Sequence, residues 1–145
     1  MKAKDSTRET QILRDYVQTL KETIPVEAVV LFGSRARNEA LRWSDFDLAV
    51  VSDSFERKNR LERMEFLLEL WKHPEPAEIF GFTVAEFSRA DRPLLWEIIE
   101  YGRPLVDTGV FRRARQLMEE KKKEGELTPV LGGWRVPGGN PQPPD

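Results

Sequence analysis

The chain has 145 residues, 39% apolar and 33% charged, which suits one globular domain with its own hydrophobic core. It has no cysteine and a single histidine, His73, which excludes disulfides, thiolate zinc sites, cysteine nucleophiles and multi-histidine metal centres and disfavours a Ser-His-Asp triad. A net charge of −2 gives no bulk attraction to nucleic acid or an anionic membrane, no apolar run approaches the roughly 18 residues of a span, and the opening MKAKDSTRET is not a signal peptide; a cytoplasmic protein is expected.

Ser6-Thr7-Arg8-Glu9 reads as a capping box, and Ile12, Leu13, Tyr16, Val17, Leu20 and Ile24 continue the helical period until Pro25 ends it. VEAVVLF (26–32) is a buried strand. Gly33 marks a turn, and SRARNEA can form a short helix. DFDLAVV (45–51) is the next strand, apolar on both faces in its second half, as a central strand should be. SFERKNRLERMEFLLELW (54–71) is a second amphipathic helix with Leu61, Met64, Leu67, Leu68 and Trp71 as its apolar stripe. AEIFGFTV (77–84) is a third strand, with Gly81 a candidate bulge.

Asp91 can cap a helix through RPLLWEIIEY, which Gly102 ends. PLV (104–106) fits a short edge strand, and VFRRARQLMEEKKK (110–123) a last helix. From Gly125 onward ten of 21 residues are Gly or Pro, so residues 1–124 are expected to form the domain and 125–145 a flexible tail. Trp134 is the exception there, and is expected to pack against something. Helices interleaved with strands give an α/β (α+β) architecture: one small mixed sheet of three to four strands flanked by helices.

The chemistry concentrates in LFGSRARNEALRWSDFDLAVVSD (31–53). Strand side chains alternate, so Asp45 and Asp47 share a face, about 6 to 7 Å apart at Cα. Like charges that close need neutralising, and hard oxygen donors select Mg²⁺. A bare Asp-x-Asp more often has one aspartate capping a turn and the other solvated at the strand start. Gly33-Ser34 adds to it: a glycine after a strand lets backbone approach a ligand, and a serine at a helix start offers N–H groups and a hydroxyl to an anion. Arg35 and Arg37 follow, either as phosphate contacts or as braces for the aspartates. Trp43 can stack on a base or cover the sheet edge. Ser44 orders the loop. His73 is expected to be structural or exposed.

GSRAR followed by SDFDLAVV resembles the minimal nucleotidyltransferases (MNT) of the DNA polymerase beta superfamily. AEIFGFTVAEF is similar to that family's third-carboxylate strand and puts Glu78 in the third position. EIIEYGRPLVD resembles its closing helix and edge strand. The likeness runs over roughly residues 10 to 120. Two positions depart from the pattern. Asn38 stands where the family often has glycine, and asparagine also tolerates a left-handed backbone. Glu78 replaces the more usual aspartate, and its extra methylene moves the charge by about one bond length, where a misplacement of about 1 Å can cost about 10²-fold in rate.

The resemblance implies a nucleotidyltransferase fold and a Mg-dependent transfer of a nucleoside monophosphate, AMP from ATP being the first choice, to a hydroxyl acceptor. In that scheme Asp45, Asp47 and Glu78 are the catalytic and metal-binding carboxylates, holding two Mg²⁺ ions, with Glu78 a metal ligand or a general base. Gly33, Ser34, Arg35, Arg37 and Ser44 form the nucleotide site. The resemblance also implies a HEPN-family partner protein, for which such chains serve as antitoxin. Two other functions stay open: an antitoxin that neutralises by contact alone, and transfer to a small molecule. The latter usually needs a helical acceptor domain for which this chain has no room. A homo-oligomer is left open; a membrane role is not expected, and nucleic acid is disfavoured because no basic patch interleaved with aromatics is present.

Overall fold

The computed structural model describes residues 6–41 and 44–137. Helix α1 (Ser6–Thr23) carries Glu9 in its first turn and Lys21 in its last, both favourable to the helix dipole. Strands β1 (Ala28–Phe32), β2 (Phe46–Val51), β3 (Ala77–Phe82) and β4 (Arg103–Asp107) form one sheet in the order β3-β2-β1-β4. β1 pairs antiparallel with β2 and with β4, the latter through an irregularity between Val29 and Val30. β2 and β3 are parallel, joined across one face by α3 (Arg60–Glu69). This is the mixed four-stranded sheet expected from the sequence, with Pro104 on an edge strand.

Alternation along the strands builds two cores. Val29, Leu31, Phe46, Leu48, Val50 and Ile79 face α1 and α3, where Ile12, Tyr16, Leu20 and Leu67 bury against them. The Tyr16 hydroxyl donates to the Leu67 carbonyl at 2.8 Å, and burial raises its pKa well above the usual phenol value. Ala28, Val30, Phe32, Ala49, Phe80 and Phe82 face the other way. They are covered by α4 (Val84–Arg89), α5 (Pro93–Tyr101) and α6 (Val110–Lys123).

Several boundaries differ from the sequence reading for identifiable reasons. Residues 54–71 do not form one helix. Ser52 accepts from the Ser54 N–H and starts a 3₁₀ turn (Asp53–Phe55), and Asn59 begins α3 afresh with a capping box to Glu62. The stripe turns with it: Leu67 is buried, but Leu61 and Leu68 are 65% and 42% exposed. β3 stops at Phe82 because Thr83 and Glu86 form a capping box that opens α4. Gly81 is not a bulge, since it pairs in unbroken register with Val50. It is glycine because a Cβ there would lie 3.0 Å from the Phe55 ring. α5 is preceded by Arg92 with Pro93 in the first turn, and Asp91 does not cap it.

Within the segment expected to be a flexible tail, β5 (Thr128–Val130) and β6 (Gly133–Arg135) form a hairpin. Trp134 is fully buried there, 6.0 Å from the Trp96 ring and 6.3 Å from Tyr101. Among the described residues no helix is long and apolar enough to cross a membrane.

Candidate active site

β1 ends at Phe32, and the chain turns at once into the four-residue helix α2 (Gly33–Ala36). Gly33 has φ +73, and a Cβ on it would sit 2.2 Å from Asp47 Oδ2. Both facts require glycine: the backbone is left-handed, and the missing side chain leaves the Asp47 carboxylate its place against the turn. Asn38 ends the same segment at φ 58, the left-handed conformation expected to be open to it.

Asp47 lies in β2 on the Phe32 and Phe80 face, paired across the antiparallel ladder with Phe32 and across the parallel one with Glu78. Asp45 precedes the strand by one residue. One carboxylate oxygen from each of Asp45, Asp47 and Glu78 lies within 4.8 Å of the others. Asp47 is half-buried, while Asp45 and Glu78 are exposed. Burial first, then the charges of Glu78 and Asp45, push the Asp47 carboxyl up to about 6, with the Arg35 charge opposing them. Three hard oxygen donors on one side of a sheet, one of them raised by burial and by the charges of the other two, suit a divalent cation.

Arg35 is buried. Its Nε and Nη2 donate to the Ser44 carbonyl at 3.2 and 2.8 Å, and its Nη1 to Glu9 at 3.0 Å. Its guanidinium carbon lies 4.0 Å from the centre of the Phe46 ring. Of the two roles open to it, this geometry matches the brace: Arg35 sits behind the loop that carries Asp45. Arg37 leans away toward α5, ion-paired with Glu97 and stacked 4.3 Å over Tyr101. Ser44 orders the loop, its Oγ accepting the Leu41 N–H at 2.9 Å while its own N–H donates to the Leu41 carbonyl. Trp43 lies outside the described residues. His73 is half-buried, edge-on to Trp71 at 5.2 Å.

The structure thus brings Gly33, Asp45, Asp47 and Glu78 together, with Ser34 following Gly33 in the turn, and turns the two arginine side chains to protein partners. Sequence reasoning missed those partners. Glu9 reads as half of a capping box, and Glu97 and Tyr101 as ordinary helix positions; no local spacing announces contacts 26 and 60 residues apart.

The family model described as "Nucleotidyltransferase domain" matches residues 12–130. A search of curated proteins gives no match. Among solved structures, the chain resembles a protein from Sulfolobus solfataricus assigned as a nucleotidyltransferase: 20% identity and TM-score 0.55, covering 70% of this chain and 83% of that one. It is also similar to a chain from a toxin-antitoxin structure with AMP-PNP: 16% identity and TM-score 0.50, covering 77% and 90%. A third likeness is to a chain from the tri-AMPylated Shewanella oneidensis HEPN toxin in complex with MNT antitoxin: 14% identity and TM-score 0.44, covering 80% and 91%. At these identities the first two likenesses concern the fold alone.

Proposed function

The chain belongs to the nucleotidyltransferase domain family, and from that premise we propose that it transfers AMP from ATP to a hydroxyl on a partner protein, as a cytoplasmic antitoxin of the MNT type acting on a HEPN-family toxin. The observation that carries the catalytic reading is the convergence of Asp45, Asp47 and Glu78 beside a glycine whose missing side chain leaves room for Asp47. The toxin-antitoxin neighbour with AMP-PNP supports the adenine nucleotide and the protein partner.

In this scheme Asp45, Asp47 and Glu78 would hold two Mg²⁺ ions, and the burial and like charges that raise Asp47 are the reason a cation is welcome there. When bound, such ions supply Lewis acidity at the attacking oxygen and charge neutralisation at the leaving pyrophosphate. The chain's own residues do the rest. Gly33 and Ser34 present backbone to the triphosphate at close range. Arg35 fixes the Ser44 carbonyl and so the start of the strand that aims Asp45 and Asp47. Glu78, on the exposed flank, accepts the proton of the acceptor hydroxyl. The acceptor oxygen bonds to the α-phosphorus, the bond from that phosphorus to the bridging oxygen breaks, and pyrophosphate leaves.

The test is incubation with Mg²⁺ and each α-labelled NTP, ATP first, with and without the product of the adjacent gene. Label on that protein from wild type, absent with Asp47→Ala, is expected. No label with any of the four NTPs would overturn catalysis and leave an antitoxin that works by contact.

A further inference from the structure

On the Glu78 flank of the carboxylates, along the outer edge of β3, lies a cavity of about 310 Å³. Its floor is apolar: Phe80, Phe82, Leu94 and Leu95. Phe80 follows Glu78 by two residues on the same strand face, a step of about 7 Å. The Phe80 ring is also 6.1 Å from that of Phe32, the residue before Gly33. The cavity therefore adjoins the carboxylate cluster on the side where Glu78 is exposed.

Its walls carry Lys58, Arg60, Arg63, Arg89 and Arg92 against only Glu86 and Asp91, in a chain whose net charge is −2. The cations are not equally engaged. Arg63 is buried, its Nη1 donating to Glu86 at 2.6 Å and to the Gly81 carbonyl at 3.1 Å, so it forms a fixed wall. Asp91 is shared by Arg89 at 3.7 Å and Arg92 at 3.6 Å, long exposed contacts worth little. Arg60 lies 5.4 Å over the Phe80 ring and Lys58 5.8 Å over Phe66, and among the described residues neither has a carboxylate partner. Surplus positive charge thus rims an apolar floor.

We propose that this cavity docks an acidic segment of the acceptor protein, an apolar or aromatic side chain entering over Phe80 and Phe82 while a neighbouring carboxylate meets Arg60 and Lys58. The inference rests on the proposed function, and it names what that function's acceptor looks like next to its reactive hydroxyl. The volume suits one or two side chains. A polynucleotide would need cations tracking along a backbone, whereas here they cluster around one pocket of an otherwise acidic protein.

The test is fluorescence anisotropy with a labelled random copolymer of glutamate and tyrosine, at low salt, on the full chain. A lysine–tyrosine copolymer and a single-stranded oligoribonucleotide serve as comparators. The glutamate–tyrosine copolymer is expected to bind, with at least tenfold weaker binding to Arg60→Glu. Lys21→Glu, the same charge change on exposed α1, is expected to bind like wild type, and ATP affinity to stay within twofold for both. Copolymer binding indifferent to Arg60→Glu overturns the proposal, as does Arg60-dependent binding of the oligoribonucleotide in preference to the copolymer. Arg60-dependent copolymer binding with no label transferred by wild type would mean that the catalytic reading fails and the docking site stands.

Discussion

At Asp47, burial and two neighbouring carboxylates act in the same direction, moving the carboxyl from 3.8 to about 6. Between those values the folded protein holds a proton that the unfolded chain has released. Stability from this group is therefore fully present below pH 3.8 and is lost as pH rises through about 6. At neutral pH the metal-free fold carries the charge at a cost, which a bound cation would relieve. Asp47→Asn is accordingly expected to raise the melting temperature of the metal-free protein at neutral pH and to flatten its fall across that window. The same change should cut transfer by about 10²-fold or more. Thermal melts across pH check the first effect, and a wild-type-like slope in the variant would contradict it. Gly33 is constrained from the opposite direction. Gly33→Ala meets a left-handed backbone, worth roughly 1–2 kcal/mol by itself, as well as the Asp47 oxygen. Denaturant unfolding should show at least that loss, together with loss of transfer.

At the scale of elements, Arg35 ties α1 to the loop before β2, through Glu9 on one side and the Ser44 carbonyl on the other. Lysine cannot make the paired contact to one carbonyl while lying flat on Phe46. Arg35→Lys is expected to lower stability by about 1.5–3 kcal/mol, the range for hydrogen bonds to a charged group, and to reduce kcat while ATP affinity stays near wild type. A fall in ATP affinity with kcat intact would instead mark Arg35 as a phosphate ligand. Much at this scale was legible. The Asp45/Asp47 pair followed from strand alternation and Gly33-Ser34 from the turn after an apolar strand, Glu78 only from the resemblance to the nucleotidyltransferases, and α6 spans the residues its periodicity indicated. The helix expected over 54–71 was not legible as two pieces, because Ser52 and Asn59 override an amphipathic period with local side-chain caps. Asn59→Ala should cost about 1 kcal/mol by unfolding, whereas a cost near zero would mean the capping box is idle.

Across the whole molecule, the C-terminal hairpin is the part least readable from sequence. Gly and Pro enrichment describes its turns correctly but says nothing about where Trp134 goes, and that depends on Trp96 and Tyr101 some 33 to 38 positions earlier. Tyr101 in turn lies under Arg37, and Arg37 pairs with Glu97, so the hairpin braces the helix against which the Gly33–Asn38 segment leans. Trp134→Ala should destabilise by about 3–5 kcal/mol. It should also lower transfer at temperatures where the variant is still folded, as read by activity alongside circular dichroism. Full activity in a folded Trp134→Ala protein would show that the hairpin stabilises the domain without supporting the site.

The most direct test of nucleotidyl transfer at the Asp45–Asp47–Glu78 cluster is a pair of parallel reactions with Mg²⁺ and the acceptor protein, one with ATP labelled at the α-phosphate and one at the γ-phosphate. Stable label on the acceptor from the α-position alone, with the γ-label recovered in pyrophosphate and both signals lost in Asp47→Asn, is the predicted result. Label from the γ-position, or α-label that persists in Asp47→Asn, would contradict it.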